Sequence, residues 1–238
     1  MAIYMMREFI IPDYLCFTAE QAGSTVKLEK IWSPTLLVAI ETSTDGVTWS
    51  DYTFGTDITL TNVGDKIYLR SKSETVTNFS ENSSNYFHFT IAGLVGASGD
   101  VNYLLCKNST DTISNNYCFY RLFQNATKLT TPPKLLATTL KQNCYREMFK
   151  SCSNLEALPA LSAITLQQQC YYSMFQWCSK IKLSSTQTWD YQTAYRIPTT
   201  WTWATASSAL SDMFYSTWWT FKWSPTINTT YYTSNTVV

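Results

Sequence analysis

The seven cysteines are the residues whose type and spacing most invite chemistry, because thiolates bind metals and form disulfides. Three of them, Cys118, Cys144 and Cys170, recur at intervals of 26 residues. Cys152 and Cys178 each follow the last two after seven intervening residues. Zinc sites instead use cysteine pairs separated by roughly two to four residues. The odd total and wide spacing therefore predict reduced, buried thiols that pack as small hydrophobes.

Other catalytic patterns are missing from the sequence. His88 is the single histidine and lies in an alternating strand pattern, so a histidine relay to serine or cysteine has little to work with. The few acidic residues after position 110 form no recognisable glycosidase pair. No glycine-rich phosphate loop occurs either. We predict that the protein is not an enzyme and uses no cofactor or metal.

The charge balance argues against nucleic acid and anionic membranes as partners. Acidic and basic residues number 17 each and make up 14% of the 238 residues, so no basic field attracts nucleic acid or an anionic membrane. The apolar stretches are shorter than the 18 or so residues needed to cross a bilayer. Arg7 and Glu8 interrupt the apolar start of the chain, unlike a signal peptide. We predict no nucleic-acid binding and no membrane insertion.

The sequence divides into two regions near residue 100. All seven glycines precede that position, whereas seven of the nine tryptophans follow residue 176. Short runs of strand-forming residues separated by turn signals predict a small β-sandwich over residues 13–100. The predicted strands are 14–19, 25–32, 36–42, 58–61, 66–71 and 86–92. Asp45-Gly46 predicts a hairpin with a type I′ turn, which needs positive φ at both central residues.

Residues 1–12 are more apolar than an exposed tail should be. We predict either an anchor segment that docks on a partner or an edge strand of the module's own sheet. The candidate anchoring residues are Tyr4, Phe9, Ile10 and Ile11.

Residues 101–238 contain the 26-residue repeat, whose copies align at 116–123, 142–149 and 168–175. Leu140, Cys144, Met148 and Cys152 recur every four residues, which predicts one stripe of a short helix. Pro159 then favours an extended segment. Self-similarity at a fixed period of this length is typical of a solenoid, in which each unit buries its apolar face on its neighbours.

The repeat register breaks after Ile181. Residues 209–214 look like a fourth helix, but they lie 39 residues after their counterparts instead of 26. The tail is rich in tryptophan, and two interpretations stay open. The rings contact a glycan or another host-surface molecule, or they cap the stack or fill a subunit interface. The candidate residues are Trp201, Trp203, Trp218, Trp219 and Trp223.

Two motifs carry a resemblance to known families. The stretch Ser-Thr-Asp-Gly-Val-Thr-Trp at 43–49, with Gly-Asp-Lys at 64–66, resembles the immunoglobulin-like or fibronectin-like modules of phage and Bacteroidetes surface proteins. The pattern Cys-Tyr-x-x-Met-Phe-x-x-Cys at 144–152 resembles the BspA-type leucine-rich repeats of Bacteroidetes surface proteins and of the crAss-like phages that infect these bacteria.

The resemblance implies a mainly β, immunoglobulin-like sandwich over 13–100, followed by a short α/β leucine-rich-repeat-like solenoid over 101–238 with a tryptophan-rich cap. It implies a non-enzymatic bacteriophage virion protein, namely a head fibre, head decoration or tail-associated fibre. Such a protein is made in the host cytoplasm and released by lysis. The expected partners are other virion proteins, further copies in a dimer or trimer, and a host cell-surface glycan. The alternative is a bacterial surface adhesin or a glycan-binding lectin.

Overall fold

The computed structural model describes residues 11–32, 38–181, 201–203, 207–217 and 221–226, which form a β-rich fold with almost no helix. The N-terminal part contains β1 (Leu15–Ala19), β2 (Ser24–Ile31), β3 (Ile40–Ser43), β4 (Ser50–Asp51), β5 (Ile58–Leu60), β6 (Lys66–Ser71), β7 (Tyr86–Ala92) and β8 (Val95–Ser98). A short 3-10 helix, η1, follows at Val101–Leu104. The strands β9 (Thr165–Leu166) and β10 (Thr202–Trp203) pair in parallel.

Strands β1 to β8 form two antiparallel sheets, ordered β4-β3-β6-β1-β8 and β5-β2-β7. In β2, Ser24, Val26 and Leu28 are buried while the residues between them are partly exposed, so one face of the strand lies on the core. Phe17 of β1 meets Phe89 of β7 edge-on, with ring centroids 5.0 Å apart, which connects the two sheets. The predicted strands 14–19, 25–32, 58–61, 66–71 and 86–92 are confirmed to within one residue at either end, whereas the strand predicted at 36–42 begins only at Ile40 in the structure.

The predicted hairpin is confirmed, but the predicted type I′ geometry of its turn is wrong. Strands β3 and β4 pair as expected, with Thr42 opposite Ser50. Within the turn only Gly46 has a positive φ, of 73°. A type I′ turn is therefore excluded, and Asp45 shapes the loop instead. Its Oδ1 accepts hydrogen bonds from the backbone N–H groups of Val47 and Thr48 at 2.8 and 2.7 Å.

The C-terminal half is organised around four stretches of consecutive turns, residues 116–125, 142–151, 168–177 and 207–216, which we call the turn segments. The short helices predicted here are wrong. Every fourth residue has a positive φ, as at Asn143, Glu147 and Ser151, and this conformation interrupts a right-handed helix. The four-residue spacing of Leu140, Cys144, Met148 and Cys152 therefore reflects a repeating turn, although all four side chains are buried as predicted.

Backbone N–H groups of a turn segment alternate between two kinds of acceptor. Tyr120 and Leu122 donate to carbonyl groups three residues earlier, at 3.0 and 3.3 Å. Phe119 instead donates to Cys144 O of the next copy at 2.8 Å. Phe175 donates likewise to Met213 O at 2.8 Å, so residues 207–216 are a fourth copy in the register that the 39-residue spacing predicts. These bonds between copies satisfy backbone groups that isolated turns would leave open.

Stacked aromatic rings run through the copies at the 26-residue interval. In one column Phe123 lies 5.4 Å from Phe149, which lies 5.6 Å from Phe175, with the ring planes within 3° of parallel. Phe89 of β7 continues this column at 5.1 Å from Phe123. A second column stacks Phe119, Tyr145 and Tyr171, with successive centroids 5.8 Å apart. The buried residues of the sheets and of the turn segments consequently form one hydrophobic core.

Strand β8 is the junction between the sheets and the copies. Val95 donates to Lys128 O at 3.1 Å, and Thr130 donates back to Val95 O at 3.0 Å. Lys134 then donates to Gly99 O at 2.7 Å. Residues 128–134 thus cover the edge of the five-stranded sheet, which would otherwise expose unpaired backbone groups. The first copy continues the sheet rather than starting a separate layer.

Candidate binding face

The turn segments bring side chains at equivalent positions of successive copies together. Tyr120, Arg146 and Tyr172 occupy the same position in three successive copies, and Arg121 and Glu147 share the next position. The backbone bond from Arg121 N to Arg146 O, at 3.1 Å, holds the first two copies in this register. Side chains that are 25 or 26 residues apart in the sequence therefore come into contact.

Glu147 lies at the centre of these contacts, with only 5% of its side chain exposed. Its Oε2 accepts a hydrogen bond from Arg121 Nε at 2.8 Å. Arg146 Nε and Lys150 Nζ lie 3.4 and 3.7 Å from its carboxylate oxygens. A buried carboxylate requires such compensation. Three cations around one anion leave a local charge of 3 − 1 = +2.

Each of the three cations also lies over an aromatic ring. The guanidinium carbons of Arg121 and Arg146 are 4.8 and 4.7 Å from the ring centroids of Tyr120 and Tyr172. Lys150 Nζ is 4.9 Å from the ring of Trp177, which is 48% exposed. At these distances the negative face of a ring attracts the cation and fixes its position. We name this set the cation–ring face: Tyr120, Arg121, Arg146, Glu147, Lys150, Tyr172 and Trp177.

Tyr120 connects this face to the β-sheets and stays uncharged. Burial, with a smaller contribution from the nearby Glu147 carboxylate, raises the pKa of Tyr120 to about 12. Its ring packs edge-on against Tyr86 of β7, with centroids 5.2 Å apart. At neutral pH the phenol is therefore protonated and does not reduce the positive charge of the cation–ring face.

The predicted tryptophan site is divided by the structure. Trp201 is only 2% exposed and stacks on Tyr171 at 5.9 Å, so it covers the end of an aromatic column and is not on the surface. Trp223 is 54% exposed and packs edge-on against Tyr215. Trp203 lies in β10, paired with Leu166. Trp218 and Trp219 lie outside the described residues.

Only the end of the predicted anchor is among the described residues. Ile11 is exposed on one side and lies close to the Cα of Gly46, where an added Cβ would be 2.7 Å from Ile11 Cγ2. Tyr4, Phe9 and Ile10 lie outside the described residues. Nearby, the Arg70 guanidinium lies over the ring of Trp49 at 3.8 Å, and Arg70 Nη1 donates to the Tyr14 hydroxyl at 2.8 Å.

The remaining reactive groups are used for packing. His88 Nδ1 bonds Arg121 O at 2.9 Å, and all seven cysteines are buried and free. Within the described residues no three His, Cys, Asp or Glu side chains are grouped so that they could hold a metal ion. In the same part of the chain, no helix is long and apolar enough to cross a bilayer.

The cation–ring face was missed by the sequence analysis, although its signal was present. Aligning the copies places Arg121 beside Glu147, and Arg146 between two tyrosines. Opposite charges at equivalent positions of adjacent copies indicate a contact once stacking is assumed. Comparison with known proteins adds no candidate: no protein-family profile matches the chain, and neither the curated proteins nor the solved structures gave a significant match.

Proposed function

We propose that this chain is a non-enzymatic structural protein of a bacteriophage virion: a head fibre, head decoration or tail-associated fibre. The observation that supports this best is the single core that joins the sheets to the stacked copies. A fused body of this kind suits a rigid projection with one end attached and the other presented outward. The N-terminal part would be an immunoglobulin-like sandwich, and the stack a short leucine-rich-repeat-like solenoid built from turns.

The attachment would be made through residues 1–12 and their surroundings. Ile11 leads from this segment onto the loop of Gly46, beside the cluster formed by Tyr14, Trp49 and Arg70. In the virion the apolar segment would dock on a capsid or tail protein, with the stacked copies directed away from it.

Homo-oligomers, either dimers or trimers, are part of this proposal. Trp32 is 80% exposed at the end of β2 and has a positive φ of 63°, an uncommon conformation for a bulky residue. An exposed ring of this size suits a subunit contact. Size-exclusion chromatography with light scattering of the wild type and of Trp32→Ser tests it, and a monomeric wild type would contradict it.

Mass spectrometry and cryo-electron microscopy of purified phage particles test the virion assignment. We expect the chain in stoichiometric amounts, with density for residues 1–12 beside a capsid or tail protein. Its absence from particles, together with recovery from the bacterial cell surface, would favour the alternative of an adhesin or lectin. The exposed rings of Trp177 and Trp223 support that alternative as far as glycan contact is concerned.

A further inference from the structure

We propose that the cation–ring face binds an acidic oligosaccharide, with Arg146 and Lys150 holding a sugar carboxylate and the rings of Tyr172 and Trp177 packing on the sugar. This inference rests on the proposed function for its setting, a surface contact with the host, and names the ligand class and the residues. It concerns the turn segments and not the tryptophan-rich tail.

The charge of the face suits a ligand that carries few negative groups. Glu147 compensates only one of three cations, and Arg146 and Lys150 remain 27% and 20% exposed. The contacts of Arg146 with Glu147 and Gln169 use Nε and Nη1. A guanidinium has five N–H donors in a fork that matches a carboxylate, and an ammonium has three. The face is therefore suited to one or two carboxylates.

The rings of the face explain why a sugar fits better than a bare anion. Arg146 and Lys150 each lie over a ring that is partly open to solvent, so a ligand that reaches the cation also touches an aromatic surface. Sugar C–H groups carry partial positive charge and would pack on the ring surface that the cation leaves open to solvent. Contacts between copies fix both rings before the ligand arrives, which lowers the entropy cost of binding.

Nucleic acid and acidic proteins fit these observations less well. A nucleic acid presents one charge per phosphate and is bound by extended basic surfaces, whereas this chain has no net charge. Acidic peptides lack the rigid C–H face that two ordered rings accommodate. A uronic acid chain supplies both a ring face and a widely spaced carboxylate.

Titration calorimetry of the full chain with trigalacturonic acid and with its methyl ester tests the proposal. The acid should bind and the uncharged ester should bind at least roughly tenfold more weakly, because the charge-assisted hydrogen bonds are lost. Arg146→Gln and Lys150→Gln should each weaken binding of the acid by about tenfold. Lys128→Gln is the matched control, since Lys128 is exposed, lies outside the face and undergoes the same change of charge. Its affinity should equal that of the wild type.

Two further variants separate binding from folding. Trp177→Ala removes an exposed ring, so it should weaken binding while the urea midpoint stays near that of the wild type. Glu147→Gln raises the local charge from +2 to +3 and should strengthen binding of the acid in whatever fraction remains folded.

Three results would overturn the proposal: no binding of the acid by folded wild type, equal affinity for acid and ester, or equal affinity for polyglutamate. Loss of binding in Lys128→Gln would also count against it. These outcomes are independent of the virion assignment. A chain that is present in particles but binds no acid loses only its ligand class, and one that binds acid but is absent from particles loses only its virion role.

Discussion

At the scale of single residues, the turn segments hold ordinary side chains in a conformation that usually favours glycine. Three residues in each of the four copies have positive φ, and none of them is glycine. The left-handed conformation costs roughly 1–2 kcal/mol per residue, so other interactions must offset it. The backbone bonds between copies and the stacked rings are those interactions. Glu147 and Arg121 occupy two of these positions, which turns their side chains toward each other.

The cysteine ladder gives a prediction at this scale. Burial raises the pKa of the Cys118, Cys144, Cys152 and Cys170 thiols, so the reactive thiolate is scarce at neutral pH. We expect iodoacetamide at pH 8 to leave these four thiols unmodified in the native protein and to label them in urea. Peptide mass spectrometry measures this, and rapid native labelling of Cys144 would contradict it.

His88 gives a pH-dependent prediction. Burial lowers its pKa in the folded state, where Nδ1 bonds Arg121 O at 2.9 Å. The unfolded state titrates near the ordinary value of about 6.5, so below that pH it takes up a proton that the folded state does not. The free energy of unfolding should fall as pH drops from 7.5 to 5.5, by at most about 1.4 kcal/mol per pH unit from this group.

The control for this effect is His88→Gln, which keeps a hydrogen-bond donor but does not titrate. Urea unfolding of both proteins at the two pH values isolates the histidine, because all other groups are common to both. An identical pH dependence in the two proteins would show that His88 is not responsible.

At the scale of elements, β8 determines how the copies begin. Gly99 follows it with a φ of +73°, and a Cβ there would be 1.8 Å from Tyr14 O. Gly55 has a similar φ of +84° but open space around it. Substituting Gly55 tests backbone strain alone, whereas substituting Gly99 tests the same strain together with a steric clash at the junction.

We expect Gly99→Ala to lower the free energy of unfolding by about 3 kcal/mol or more, since strain and a backbone clash act together. Gly55→Ala should cost only the strain of the left-handed conformation, about 1–2 kcal/mol. Urea unfolding compares the two variants. Equal losses would mean that the backbone of Tyr14 can move away from residue 99 at little cost.

The sequence predicts those elements whose signal lies within their own residues. Alternation identified β2, β6 and β7, because a half-buried strand repeats every two residues. Strand β8, with the sequence Val-Gly-Ala-Ser, carries no such signal. It pairs with β1 on one side and with residues 128–134 on the other, and both partners lie far away in the sequence. The four-residue period of the repeat predicts which residues are buried, but it does not distinguish a helix from a repeating turn. The spacing of buried residues does not reveal the sign of φ.

The candidate site was harder to predict than the strands. The size of the tryptophan rings favours a surface site, yet Trp201 is buried at the end of an aromatic column. The cation–ring face depends on contacts between residues 25 or 26 apart. Those contacts become visible only once the stacking register is known.

At the scale of the whole molecule, the copies and the sheets share one core. Phe89 of β7 stacks on Phe123 of the first copy, and Phe79 lies 5.7 Å from Phe119. Separating the two halves would expose these rings to water, at a cost of roughly 25 cal/mol per Å² of apolar surface. Independent folding of the two halves would therefore leave this apolar surface exposed in each of them.

We therefore predict one cooperative unfolding transition for the full chain. Hydrogen-exchange mass spectrometry in a urea series should give the same opening free energy for slow amides in β2 and in residues 144–152. A fragment of residues 1–110 should expose apolar surface and aggregate. Two separate transitions, or a stable monomeric fragment, would show that the halves fold independently.

The parallel stacking of the copies makes the length of the protein adjustable. Each turn segment offers its successor the same backbone N–H donors and the same ring face, and successive rings are 5.4–5.8 Å apart. Duplicating or deleting one 26-residue unit would leave the sheet junction and the Trp201 end unchanged and alter the length of the stack by that distance. Selection, or an engineer, can therefore change how far the protein extends without redesigning either end.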